Sequence, residues 1–310
     1  MIEINFKRAE LEDKEIISKY LKKYPSRSCE RTFVNVYLWS RRYPVTWAVV
    51  ENTLVFKSED SEHLSFAFPA GEDEDIKKAI SVLEQYSKEH GVPFSMYCIT
   101  PEFFEKLESW YPGRFEIEYN RDSADYVYDV EKLATLTGKK YQAKRNHINK
   151  FRSVYEDRWE YEPITKDNVT ECIEMLHQWY LKKEVAEDPE EQKAEIIVAE
   201  KSLMYFEELH MRGGLLRIDG EVIAFCLGER ACEKTFIVHI EKAFADIQGA
   251  YPLINQQFVF HELLGKYEYV NREEDMGIEG LRKAKLSYHP AFLLEKGFVT
   301  CKSDIYEGEE

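Results

Sequence analysis

The sequence has no apolar run near the roughly 18 residues that a membrane-spanning helix needs, and its first residues, MIEINFKRAELEDKE, are mixed and acidic rather than leader-like. A cytosolic, cytoplasmic protein with no transmembrane segment is the expectation. It also lacks any close pair of cysteines. The six (Cys29, Cys98, Cys172, Cys226, Cys232, Cys301) are scattered through apolar stretches, which excludes a disulfide framework or a zinc knot and points to reduced, buried thiols. The eight histidines show neither HxH nor HExxH spacing, so no metal is expected. No linker, low-complexity segment or nucleophile–histidine–acid set is legible, and a covalent acyl-enzyme is not expected.

What is present is an ordinary globular composition, 44% apolar and 32% charged, in 310 residues, enough for two domains with separate cores. The net charge of −16 disfavours a polyanion such as duplex DNA as a partner. One stretch departs from that average: from Lys132 to Tyr155 there are seven basic residues and no acid. Its helical stripe of Tyr141, Ile148, Phe151 and Tyr155 would anchor a helix over 139–152. That helix would offer Lys144, Arg145, His147, Asn149 and Arg152 to a phosphate-bearing ligand. The alternative is a solvated amphipathic connection.

Along the chain, helical spacing at 11–21 and 33–38 precedes a hairpin at 45–56, a strand at 63–68, a helix from Glu72 to Gly91, a strand at 93–99, a helix from Pro101, and strands at 115–119 and 125–130. The order then recurs. A capping-box pair, Asn168 and Glu171, opens one helix, and Asp188, Pro189 and Glu191 open another that runs to Arg212 and breaks at Gly213–Gly214. LLRI, Asp219–Gly220 and EVIAFCLG form a hairpin, and TFIVHIE (235–241) a strand. Gly249 precedes a helix to Leu263, followed by a strand at 267–273, a short helix and a last strand pair near FVTCKSDIY. Both halves read α-α-β-β-β-α-β-α-β, as an internal duplication would. The fold class expected is α/β (α+β) in two domains, 1–135 and 136–310, each a mixed, mostly antiparallel sheet flanked by helices, with the basic helix in the second.

Polar residues at strand ends are the remaining candidates. Asn271, Arg272, Glu273 and Glu274 follow an apolar strand: Arg272 suits a carboxylate or phosphate, and Glu273 or Glu274 suits removal of a proton from an attacking amine. A polar turn is the plain alternative. His239 and Glu241 alternate along 235–241, as bases or as hydrogen-bonded core. Arg282 and Lys285, with Lys283, pair with the preceding acids or bind ligand. The basic helix and Arg272 are expected to converge on one hollow.

The element order is similar to the GNAT acyltransferase fold. GKKYQAKRNHINKF (138–151), AYPLINQQF (250–258) and VNREEDMGIEGLRKAKLSYHP (270–290), with the LEKGF ending at 294–298, resemble a bacterial family related to the C-terminal domain of phosphatidylglycerol lysyltransferase. The resemblance implies two tandem GNAT-like domains, as in Fem-type aminoacyltransferases, and transfer of an acyl or aminoacyl group from charged tRNA, or another phosphate-bearing donor, to an amine or hydroxyl. It implies an acyl site along strand 235–241 and, for Tyr288, protonation of the leaving group. The lysyltransferases carry a membrane domain ahead of this region, which this sequence does not show. Acetyl-CoA enzymes present spaced glycines to pyrophosphate, whereas Ala245–Asp246–Ile247–Gln248–Gly249–Ala250 offers one glycine and an acid. No cofactor is therefore expected, and CoA use has no support in the loop. Two readings stand beside transfer: a non-catalytic module binding a nucleotide, RNA or peptide, and an acetyl-CoA-dependent N-acetyltransferase.

Overall fold

The computed structural model describes residues 2–60, 63–182 and 189–302. Two compact units emerge, the first made of 1–125, 274–278 and 293–310, the second of 126–273 and 279–292.

In the first unit, α1 (Lys14–Lys23) and α2 (Phe33–Trp39) precede the hairpin β1 (Val45–Val50) and β2 (Thr53–Glu59), then β3 (Leu64–Phe66), α3 (Asp73–Glu89), β4 (Ser95–Ile99), α4 (Pro101–Trp110) and β5 (Phe115–Tyr119). Helix α3 opens on Asp73, Glu74 and Asp75, acids that suit the positive end of the helix dipole. Its Ile76, Ala79, Ile80 and Leu83 then meet Phe66, Phe94, Met96 and Phe103 in one core.

In the second unit, β6 (Asp125–Asp129), α5 (Val130–Thr135), α6 (Gln142–Val154) and β7 (Trp159–Pro163) lead to α7 (Val169–Lys182) and α8 (Pro189–Met204). The strands β8 (Arg212–Ile218), β9 (Glu221–Arg230) and β10 (Thr235–Ala243) follow, then α9 (Ala250–Phe258), β11 (Tyr269–Asn271), α10 (Glu279–Leu286) and β12 (Phe292–Leu294). Asp219 and Gly220 both take positive φ, 52° and 87°, the tight primed turn that the β8–β9 hairpin requires.

The sheets are β1-β2-β3-β4-β13-β5 and β12-β6-β11-β10-β9-β8-β7, where β13 is Gly297–Cys301. Both are mixed and mostly antiparallel, with parallel pairs at β3–β4 and β10–β11. The order along the chain is the expected one, but two strands join the other half's sheet. β13 pairs antiparallel with β4 and β5, and β6 pairs with β11. Hydrophobic pattern identifies a strand without naming its partner, so the exchange has no trace in local sequence.

Three local expectations differ from the structure. Asn168 and Glu171 make no capping box. The Asn168 side chain accepts from Thr165 N–H at 2.8 Å, while Arg217 takes both oxygens of the Glu171 carboxylate, one at 2.9 Å, a bidentate ion pair that outcompetes a single backbone N–H. Gly213 and Gly214 lie inside β8 instead of breaking a helix, which ends at Met204. A Cβ on Gly214 would sit 2.2 Å from the Tyr161 hydroxyl, so the strand needs glycine to receive that ring. Helix α9 stops at Phe258 and continues as a π-type turn to Leu263. The expected helix start at Asp188 and the end of the last expected strand, 303–306, lie outside the described residues.

Candidate functional site

Strands β10 and β11 run parallel for three residue pairs only, ending at Ile237 opposite Asn271. β10 continues to Ala243, so its backbone edge beyond Ile237 has no β11 partner. At the fork, the pairing of β10 with β9 also shifts: Val238 faces Gly228 and Ile240 faces Leu227, leaving His239 as the extra residue of a bulge. Gly228 is required there, because a Cβ would come 1.8 Å from the Ile237 carbonyl oxygen.

The fork gathers charged side chains. Arg272, just past β11, donates from Nη2 to Glu241 at 3.0 Å, and Asn255 of α9 donates to the other Glu241 oxygen at 3.0 Å. The second terminal nitrogen of Arg272, Nη1, is buried without a hydrogen-bond partner among the described residues. The guanidinium lies 4.8 Å from the Tyr288 ring centre and 5.6 Å from that of Tyr128, a cation–π arrangement. Lys144 of α6 reaches the same Tyr288 ring at 3.7 Å. Burial, then the neighbouring Arg272 charge, lower the Lys144 pKa to about 8 against a partial offset from Glu241. Burial raises the Tyr288 hydroxyl above its ordinary value, with Arg272 opposing it, so that phenol stays protonated.

His239 is held on both sides, Nδ1 at 2.8 Å from Glu273 and Nε2 at 3.2 Å from Glu229, with its ring 4% exposed. Burial pulls the imidazolium down, but the two carboxylates outweigh it and raise the pKa to about 10. At neutral pH the ring is a cation with no free lone pair, which fits a clamp rather than a base. Asn271 is buried, and its side-chain oxygen accepts from Glu273 N–H at 2.7 Å. Lys285 of α10 donates to the backbone oxygens of Arg272 at 2.6 Å and Glu273 at 3.1 Å, fixing the segment that carries both side chains. Arg282 lies half-buried on the same helix.

The remaining basic-helix residues divide. Arg145 turns inward, donating to the Leu136 carbonyl, to Gly138 O at 2.8 Å and to Gln142 at 2.7 Å. It braces the α5–α6 connection instead of facing a ligand, so Arg145→Ala is expected to cost about 1–2 kcal/mol in urea unfolding with donor affinity unchanged. His147 and Asn149 are exposed, as is Arg152, whose guanidinium lies 5.6 Å from the Trp159 ring centre. α6 also approaches the start of α9 closely: a Cβ on Gly249 would meet the His147 carbonyl oxygen at 2.5 Å.

Glu274 parts from its neighbour and belongs to the first unit. There Lys296, 1% exposed, contacts Asp125 at 2.8 Å and Glu274 at 3.5 Å, and also pairs with Glu30. Cys29 donates its N–H to Asp125 at 3.1 Å and its thiol at 3.4 Å. Three carboxylates thus surround one ammonium. Burial, then the other acids, raise the Asp125 pKa to about 7 against the pull of Lys296, while Glu30, despite its burial, is lowered by Lys296. Donor atoms of Cys29, Asp125 and Glu274 lie within 4.8 Å of one another, a set that could ligate a metal, but the Lys296 ammonium already supplies positive charge there. A cavity of about 520 Å³, lined by Lys296, Cys98, Arg121, Asn120 and Tyr119 among others, adjoins this group. Sequence reasoning missed the cluster because its members are isolated charges far apart in the chain. Lys296 between an acid and a glycine carries no local signal of burial.

Comparisons with known proteins agree with this architecture. Among the described residues no helix is long and apolar enough to cross a membrane. A solved structure of a conserved Bacteroides thetaiotaomicron protein of unknown function is 38% identical, covers 97% of this chain and 100% of its own, and superposes with a TM-score of 0.86. The C-terminal domain of a lysylphosphatidylglycerol synthetase from Agrobacterium fabrum is 15% identical with a TM-score of 0.66 over 95% of this chain and 93% of its own. FemX gives 0.56 at 8% identity over 98% and 99%, which supports the tandem GNAT, Fem-type fold. A curated relative, an uncharacterised protein of Mycoplasmoides gallisepticum, is 26% identical over 61% of this chain, and the match spans only 60% of that relative. The family profile described as "Phosphatidylglycerol lysyltransferase, C-terminal" matches residues 21–298, and the chain belongs to that family.

Proposed function

We propose that this chain is an aminoacyltransferase taking its aminoacyl group from charged tRNA and passing it to an amine or hydroxyl acceptor at the fork between β10 and β11. The observation that carries the reading is the convergence of Lys144 and Arg272 on Tyr288. It joins the basic helix to the strand edge where a carbonyl can be polarised by backbone N–H groups that β11 does not pair. In this reading the acceptor attacks the ester carbonyl, a new amide or ester bond forms, the tRNA ester C–O bond breaks, and the 3′ oxygen leaves with a proton. The exposed basic side chains of α6 steer the tRNA phosphates. Arg272 grips a donor oxygen through its unpartnered nitrogen, and Tyr288 stands as the proton source for the leaving oxygen. Glu241 and Glu273 are neutralised by Arg272 and His239, so the acceptor's proton falls to Lys144, the base with a pKa near the working pH.

The assay follows a labelled aminoacyl group from tRNA to an amine, or to phosphatidylglycerol vesicles. Label should move to one of them at a rate that rises with pH through about 8, and Lys144→Met should slow it about 100-fold and flatten the profile. Binding of charged and uncharged tRNA with no loss of label above buffer background would instead mark a non-catalytic module. Thermal stabilisation by acetyl-CoA, with no response to tRNA, would favour an N-acetyltransferase.

A further inference from the structure

Arg31, immediately before the Thr32 cap of α2, is 6% exposed. Its Nη1 donates to the Phe68 carbonyl and its guanidinium lies 5.0 Å from the Phe103 ring centre. Nε and Nη2 are buried and have no hydrogen-bond partner among the described residues. Those two nitrogens form one edge of the planar fork, two parallel donors spaced to match the oxygens of a carboxylate or phosphate. Burial lowers its pKa to about 10, and only the phenols of Tyr24 and Tyr97 act against that. The acid next to it in the chain, Glu30, is turned to Lys296 instead.

A buried guanidinium with an empty edge is expensive, because each desolvated donor and the charge itself lack compensation. The Phe103 contact offsets a part of that cost only. Elsewhere the fold treats this chemistry differently: Arg217, 8% exposed, turns three nitrogens onto Glu162 and Glu171. The surroundings of Arg31 are aromatic. The rings of Phe68 and Phe103 stack at 4.6 Å, and Tyr24 lies 5.7 Å from each. Tyr24 and Tyr97, whose phenols act on the guanidinium, are both half-buried.

We propose that the Nε–Nη2 edge of Arg31 is a binding site for one small oxyanion, a carboxylate or phosphate group, held bidentately against an aromatic wall in the first unit. It is a site beyond the transfer reaction and does not depend on it. The test is thermal melting of the full chain in sodium phosphate or sodium acetate against chloride at equal ionic strength. At saturation one of the two salts raises the melting temperature by about 3 °C or more, and which of them does so identifies the oxyanion. Arg31→Lys keeps the charge but not the fork and should weaken the response at least tenfold. Arg31→Met should abolish it and, without oxyanion, melt no lower than the parent, since an unpaired buried charge has been replaced by an apolar side chain of similar length. The proposal is overturned if neither salt shifts the parent protein or if the shift survives in Arg31→Met. It is equally overturned if Arg31→Met melts far lower, or fails to fold, while Arg31→Lys responds like the parent, since the guanidinium would then be a strut.

Discussion

Lys296→Met is expected to destabilise the first unit by about 3–5 kcal/mol at pH 8 and by clearly less at pH 5. The ammonium is 1% exposed and is the shared partner of Asp125, Glu30 and Glu274. Removing it leaves three carboxylates crowded in a low-dielectric setting without the ammonium between them, and the penalty is that of mutual repulsion between like charges more than of a lost bond. The pH dependence follows from Asp125. Its pKa in the folded protein is raised to about 7, by burial first, from an ordinary 3.8. A raised carboxyl contributes stability that is complete below the ordinary value and is lost as pH rises through the folded one. Glu30 runs the other way, since its lowered pKa gives stability that is lost only as pH falls below its ordinary 4.5. Between about 4.5 and 7 Asp125 acts in the same direction as Glu84, whose carboxyl burial also raises, and the parent unit should become less stable as pH rises. In Lys296→Met the acids take up protons more readily still, which is why the loss shrinks at pH 5. Urea titrations at the two pH values, read on the first unit's transition, test this. Equal losses at both would mean that the acids are not the source of the strain. Asp125→Asn should flatten the parent's slope over the same window.

The helices and hairpins of both units were legible because each rests on a local cue. The acids at 73–75, Pro101 and the Asp219–Gly220 turn announce their elements without help from the rest of the chain. Strand exchange was not legible, because the apolar residues of β6 and β13 mark a strand without marking which sheet it enters. The site divides along similar lines. His239, Glu241 and Arg272 stood out as polar residues in or just after apolar strands, and the fold brings them to the fork. Arg145 looked like a ligand group, but its acceptors are backbone carbonyls at Leu136 and Gly138, which every residue possesses and no sequence advertises. The Glu171 cap failed for a related reason: its winning partner, Arg217, lies 46 positions away. Arg31 is the extreme case. Nothing in its neighbourhood of the chain shows that it is buried without an acid, and only the absence of a partner in space draws notice.

Arg272→Met should cost about 3–5 kcal/mol, since Glu241, with 11% of its side chain exposed, then keeps the Asn255 amide alone as hydrogen-bond partner among the described residues. By itself that loss says nothing about function, because unfolding and inactivation arrive together. The double variant Arg272→Met, Glu241→Met separates them. With both charges gone neither is left buried without the other, and stability should return to within about 1 kcal/mol of the parent, a coupling that a double-mutant cycle measures directly. Transfer should not return. The donor would still meet the exposed face of α6, so its binding weakens modestly, but the guanidinium nitrogen free to grip its oxygen is missing and the charge that helps hold Lys144 near 8 has gone. The pH profile of any residual rate should move only slightly, since the double variant removes both the lowering by Arg272 and the offset from Glu241, and burial still lowers the Lys144 pKa. Recovery of both stability and full transfer in the double variant would make the Arg272–Glu241 pair a strut, and would move the search for the donor site away from the fork.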